Sequence, residues 1–209
     1  MKTIVILSGG VDSTVILWEC LTSGLPTKAI SFDYGQRHRK ELDAARTVAG
    51  MAGVEHKVAS LTEWGDLMRN TALAADGLSV PHGHYEDPLQ KTTVVPNRNM
   101  VFLAVAASWA MATGYERVAI GAHLGDRAIY PDCREEFLDA MTKALSLADH
   151  RQVAIWRPFV AVPKSEVVRR GKEIGAPLDL TWTCYEGGDE PCGQCGACVE
   201  RVEAEGVTA

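Results

Sequence analysis

"TIVILSGGVDSTVILW" (Thr3–Trp18) decides the fold. Ile4 to Leu7 is an unbroken apolar run, the pattern of a strand buried on both faces. Ser8-Gly9-Gly10 interrupts it, and Ser13–Ser23 then reads as a helix stopped by Gly24 and Pro26. A strand, a glycine turn and a helix start, in that order, let the main chain approach an anion beneath unpaired helix N–H groups. A plain turn would need only the glycines. Here they are flanked by Ser8, Asp12, Ser13 and Thr14, three hydroxyls and a carboxylate, which favours a nucleotide phosphate site. It is neither G-x-x-x-x-G-K-[ST], since no lysine follows Gly10 at that spacing, nor G-x-G-x-x-G.

Outward from this stretch the pattern repeats. Lys28–Phe32, His56–Ser60, Arg117–Gly121 and Ile155–Pro158 read as further strands. Glu41–Ala52, Asn97–Thr113, Cys133–Ala148 and Pro163–Ile174 read as helices, with Asp132 as the N-cap of the third of these. Gly65–Pro96 is irregular. Such alternation predicts an α/β fold, a doubly wound, Rossmann-like parallel sheet whose ligands sit beyond the carboxyl ends of the strands. Three other strand ends, "FDYGQRHRK" (32–40), "GAHLGDRAIYPDC" (121–133) and "RPFVAVPKSEV" (157–167), bring polar groups to that edge. Among them Lys164 is expected to set a point charge at a phosphate. Arg98, in the first turn of its helix, opposes the helix dipole and so reads as functional rather than stabilising. Arg37-His38-Arg39-Lys40 reads as a solvated helix start or an aid to phosphate binding, and His82 and His84 as an exposed loop pair.

The whole chain narrows the classes. Its 209 residues suffice for one domain with a sizeable core, and 46% apolar with 23% charged residues is ordinary for a globular protein. A net charge of −6 disfavours a nucleic-acid surface. No apolar run reaches membrane-spanning length and no basic, cleavable leader precedes the first strand, so no membrane partner and a cytoplasmic location are expected. Of six cysteines, Cys20 reads as a small buried apolar residue and Cys133 as a quiet thiol. Cys184, Cys192, Cys195 and Cys198, in "CYEGGDEPCGQCGAC", are too dense for anything but a metal in a reducing compartment. Zinc in a closed, structural four-thiolate site leads, with an iron–sulfur cluster as the rival. The expected division is an α/β unit over 1–180 and a four-cysteine segment over 181–209 packed on it.

Ser8-Gly9-Gly10-Val11-Asp12-Ser13 resembles the PP-loop of the ATP pyrophosphatase superfamily. Together with "FDYGQRHRKE", "VPNRNMVFL", "GAHLGDRAIYPDCREEF", "RPF" followed by "KSEVV", and the terminal "TC…PCGQCGAC", it resembles the 7-cyano-7-deazaguanine synthase family over nearly the full length. The resemblance implies conversion of 7-carboxy-7-deazaguanine and ammonia to the nitrile at the expense of ATP. It implies ATP around Leu7, Ser8, Gly9, Gly10, Val11, Asp12, Ser13, Thr14, Val15, Ile16 and Leu17, zinc on the four cysteines, and a homodimer. On that reading Asp12 meets Mg²⁺, Lys164 and Arg98 balance phosphate charge, and Arg127, Tyr130 and Asp132 read the deazaguanine. No glutaminase-like segment is visible, so ammonia is expected to be free or delivered. Two alternatives stand beside it: a PP-loop enzyme that modifies tRNA, and a relative that stops at the amide or passes the activated deazaguanine elsewhere.

Overall fold

The computed structural model describes residues 1–84 and 87–206. Five parallel strands, β1 (Thr3–Ile6), β2 (Thr27–Asp33), β3 (Glu55–Ser60), β4 (Arg117–Ala119) and β5 (Ala154–Trp156), form one sheet in the order β3-β2-β1-β4-β5. The chain winds from β1 to one edge, then returns to β4 on the other side of β1. Such a reversal opens a crevice at the carboxyl ends of β1 and β4.

Seven helices accompany it among the described residues: α1 (Val11–Thr22), α2 (Lys40–Ala52), α3 (Thr62–Asp66), α4 (Arg98–Thr113), α5 (Glu135–Ala148), α6 (Lys164–Glu173) and α7 (Gly196–Glu205). Successive strand side chains point to opposite faces, and β1 is buried along its whole length. Ile4 and Ile6 pack with Leu103, Ala107 and Leu138 of α4 and α5. Val5 and Leu7 pack on the other face with Ile16, Ala45 and Val167 of α1, α2 and α6. This double burial explains why β1 reads as a continuous apolar run. Among the described residues no helix is long and apolar enough to cross a membrane.

Several boundaries differ from the sequence reading. Gly10, extended at φ −83° and ψ 172°, caps α1, so the helix starts at Val11 and Asp12 lies in its first turn. Cys133 does not open a helix. Pro131 favours a short 3₁₀ turn over 131–133, Arg134 is extended, and α5 begins at Glu135. Asp132 therefore does not cap α5; its Oδ2 accepts the Asn99 N–H at 3.0 Å and caps α4 instead. Within 65–96 a 3₁₀ helix spans Pro88–Thr93, capped by Asp87, and α7 had no counterpart in the sequence reading.

Candidate active site

Gly9 is left-handed at φ +89°, and a Cβ there would lie 2.1 Å from the Glu41 carbonyl oxygen, so only glycine lets α2 pack on the loop. The Ser13 hydroxyl binds the loop together: its oxygen accepts the Ser8 N–H at 3.2 Å and it donates to the Gly10 carbonyl at 3.1 Å. Ser8 Oγ in turn accepts the Gly10 N–H at 3.2 Å. Gly121, two residues beyond β4, comes so close that a Cβ would sit 3.0 Å from Asp12 Cβ and 3.1 Å from Ser13 N. The first turn of α1 thus faces the crevice with N–H groups that have no intrahelical partner.

Below this turn lies a cluster of charges. Lys164 Nζ donates to Asp12 Oδ2 at 2.5 Å and lies 3.7 Å from Glu200 Oε2 of α7. His123 Nε2 lies 3.4 Å from Glu200 Oε1 and 3.6 Å from Asp126 Oδ1. Burial pushes the Asp12 carboxyl up, but Lys164 and His123 outweigh it and hold the group below the ordinary carboxylate range. Burial opposes the Lys164 charge, yet Asp12 and Glu200 raise its pKa well above the usual value. For His123, burial is likewise overcome by Asp126 and Asp12, which raise it to about 9. The Gly125 N–H points at Nδ1 from 3.0 Å, a bond that only the neutral ring accepts. Three carboxylates, Asp126, Asp12 and Glu200, against one lysine favour the charged ring over that single bond. Asp12 Oδ1 is buried with no hydrogen-bond partner among the described residues. An orphaned carboxylate oxygen beside a phosphate loop fits a divalent cation with oxygen ligands.

The crevice, about 200 Å³, continues from the loop to an aromatic wall. Phe32 and Phe102 stack there with centroids 4.1 Å apart, and Tyr34 lies 5.6 Å from Phe102. The Arg98 guanidinium sits 5.8 Å over the Tyr130 ring. Burial opposes its charge, while Tyr34 and Asp132 hold it firmly protonated. Tyr130 Oη is 2.7 Å from Thr93 Oγ1 and 3.4 Å from Tyr185 Oη.

The lining includes Leu7, Ser8, Gly10, Asp12 and Ser13, together with Lys164, Arg98 and Tyr130. Gly9, within the loop, faces α2 and does not line the crevice. Val11, Thr14, Val15, Ile16 and Leu17 are buried on α1 and do not line the crevice, because that face of the helix belongs to the core. Asp132 and Arg127 are also outside the lining: Asp132 is occupied by the α4 N-terminus, and the Arg127 carbonyl accepts from Arg134 Nε at 3.0 Å. Residues that sequence reasoning did not single out complete the walls, Tyr34, Glu41, His123, Tyr185 and Glu200, and His38 of the basic run joins them. His123 and Asp126 carried one readable signal, since a carboxylate at i+3 can accept the backbone N–H at i, as Asp126 Oδ2 accepts that of His123 at 2.9 Å.

Cys184, Cys192, Cys195 and Cys198 place their sulfur atoms within 4.8 Å of one another. Tetrahedral zinc with bonds of about 2.3 Å would space its sulfurs by about 3.8 Å. A four-iron cluster gives each thiolate its own iron and needs wider spacing, so the set fits a single ion better. Backbone N–H groups of Cys192, Gln194 and Cys195 already point at cysteine sulfurs from 3.2 to 3.4 Å, a polar shell suited to thiolates. The knuckle is tied to the fold: Trp182 N–H donates to the Gly9 carbonyl at 2.9 Å, and Val80 packs among the cysteines. His82 and His84 are exposed, each beside a glutamate, Glu186 and Glu203 respectively.

Comparison with known proteins agrees with this geometry. The chain is 44% identical over 204 residues to a 7-cyano-7-deazaguanine synthase of Caldicellulosiruptor bescii, covering 98% of this chain and 92% of the relative. It is 46% identical over 210 residues to the synthase of that name from Marinobacter nauticus, covering 99% and 95%. An NMN synthetase from Francisella tularensis shares the fold, with a TM-score of 0.57 at 19% identity over 99% of this chain and 73% of that one. The profile described as Queuosine biosynthesis protein QueC matches residues 2–206, and the chain belongs to that family.

Proposed function

We propose that this chain is an ATP-dependent carbon–nitrogen ligase that converts 7-carboxy-7-deazaguanine and ammonia to 7-cyano-7-deazaguanine. The observation that carries this is the Asp12–Lys164 pair, with Asp12 Oδ1 unpartnered, at the mouth of the phosphate loop. A carboxylate cannot lose oxide to ammonia, so its oxygen must first be converted to a leaving group. The substrate carboxylate attacks the α-phosphorus of ATP, pyrophosphate departs, and an acyl adenylate remains. Ammonia displaces AMP to give the amide. A second adenylation, at the amide oxygen, then allows AMP to leave and the nitrile to form.

In this reading the N–H groups and hydroxyls of Ser8–Ser13 hold the phosphates. Lys164 neutralises charge that develops on them, and Glu200 keeps its ammonium in place. Mg²⁺, when bound at Asp12, supplies further charge neutralisation on the phosphates. Arg98 and the Phe32–Phe102 wall form the end of the crevice where a planar, amide-edged bicycle stacks and hydrogen-bonds. Zinc on the four cysteines is structural, because four thiolates leave no open position. Residues 1–180 bind ATP and the segment after them covers the site. The net charge of −6 supports a small-molecule acceptor over tRNA in a cytoplasmic setting. Leu67, Leu78 and Leu89, exposed along 65–96, support a homodimer.

The test is a mass-spectrometric assay with Mg-ATP, ammonium and 7-carboxy-7-deazaguanine. Nitrile with two AMP per product is expected. Amide alone would retain the activation chemistry and remove the nitrile step; absence of substrate-dependent AMP would overturn the proposal.

A further inference from the structure

His38 stands in the crevice wall with 3% of its surface exposed. Its Nε2 lies 3.2 Å from Glu41 Oε2. The other oxygen of Glu41 accepts from Gln36 Nε2 at 2.9 Å. Gln36 is fully buried and held in turn by the Phe32 carbonyl at 3.1 Å and the Tyr34 N–H at 2.9 Å. The carboxylate is therefore fixed at both oxygens and accepts the Nε2–H, leaving Nδ1 as a bare acceptor. Nδ1 is buried and has no hydrogen-bond partner among the described residues. A buried ring nitrogen without a partner is unfavourable in a folded protein unless a ligand answers it.

Its position suits the reaction. The turn carrying Glu41 packs directly on Gly9 of the phosphate loop, and the Tyr185 ring lies 5.5 Å from the imidazole. The imidazole is thus held between the loop and the aromatic wall. When ammonia adds to the acyl adenylate, a C–N bond forms, the C–O bond to AMP breaks, and the nitrogen must shed one proton. Lys164 and Arg98 are held cationic and cannot take it. His123, between Asp126 and Glu200, already carries its proton.

We infer that His38, oriented by Glu41 and Gln36, is the general base that takes this proton at Nδ1. The inference rests on the synthase reading above. Glu41 and Gln36 are positioning residues. The first adenylation needs no such base, because the substrate carboxylate is already ionised, and this separates the two steps experimentally.

In His38→Gln, ATP–pyrophosphate exchange dependent on 7-carboxy-7-deazaguanine should stay within about twofold of the unmodified protein. Amide formation from ammonium should fall by about 100-fold. Hydroxylamine, whose nitrogen sheds its proton more readily after attack, should still give the hydroxamate at a near-normal rate. Glu41→Gln should show the same split by a smaller factor, and His38→Asn serves if the glutamine variant does not fold. Loss of exchange and amide formation together, or a raised substrate KM with kcat unchanged, would overturn the assignment. No exchange in the unmodified protein would overturn the synthase reading, and this one with it.

Discussion

Lys164 Nζ and Asp12 Oδ2 are 2.5 Å apart although 152 residues separate them, and each belongs to the first turn of a helix, α6 and α1. An aspartate there suits the helix dipole; a lysine opposes it. The lysine is therefore held by its partners, and the pair is part-buried. Lys164→Met leaves Asp12 without its cation and should reduce stability by about 3 kcal/mol in urea titration. The double variant Asp12→Asn/Lys164→Met should recover part of that loss. A single variant as stable as the unmodified protein would mean the pair contributes nothing to the fold. Both variants should make no AMP.

Gly9→Ala meets two obstacles, a left-handed backbone and the Glu41 carbonyl 2.1 Å from the new Cβ. A loss of more than about 2 kcal/mol is expected, seen as a lowered Tm. Gly24→Ala is the control, since its φ of +65° is also left-handed but nothing lies within 4 Å of the added methyl. Equal Tm losses in the two variants would show that packing of α2 on the loop is not the cause.

One metal ion per chain is expected by elemental analysis, zinc in a colourless protein. Several irons per chain, with inorganic sulfide and a visible absorption band, would refute the single-ion reading. Chelation or Cys195→Ser should lower Tm and change the fluorescence of Trp182, whose indole Nε1–H donates to the Cys184 carbonyl at 2.9 Å.

His56 Nε2 lies 2.7 Å from Ser31 Oγ, and that hydroxyl donates to the Leu7 carbonyl at the entrance of the phosphate loop. Burial, with Arg46 nearby, lowers the His56 pKa. The folded protein thus disfavours the charged ring that the unfolded chain accepts. The resulting stability is present above about pH 6.5, the ordinary histidine value, and is lost as pH falls below it. Urea midpoints measured across pH 5 to 8, as rough limits, should drop on the acid side, and His56→Gln should flatten that slope. Parallel profiles for both proteins would reject the assignment.

What could be read in advance was local. Thr3–Trp18 carries its strand, loop and helix in consecutive residues, and the alternation beyond it yields the parallel sheet without any long-range contact. Asp132 was misread because sequence adjacency favoured the helix that follows it, whereas its partner is Asn99, 33 positions earlier. His38 sits in a basic run that looks solvated; Tyr185 and Gly187, packed against it from the far end of the chain, bury it. Glu200 was invisible for a related reason. α7 buries only Gly196, Ala197 and Cys198, too few for a periodic apolar face, and its place is set by the cysteine knuckle and by packing on α6.

The position of Glu200 also orders events during synthesis of the protein. The phosphate loop leaves the ribosome about 190 residues before the carboxylate that steadies Lys164 and His123, which lies beyond all four cysteines of the knuckle. A nascent chain can complete its sheet and still lack one wall of the crevice. Until translation passes Glu200, Lys164 and His123 therefore lack that carboxylate, and this wall of the crevice is the last to be assembled.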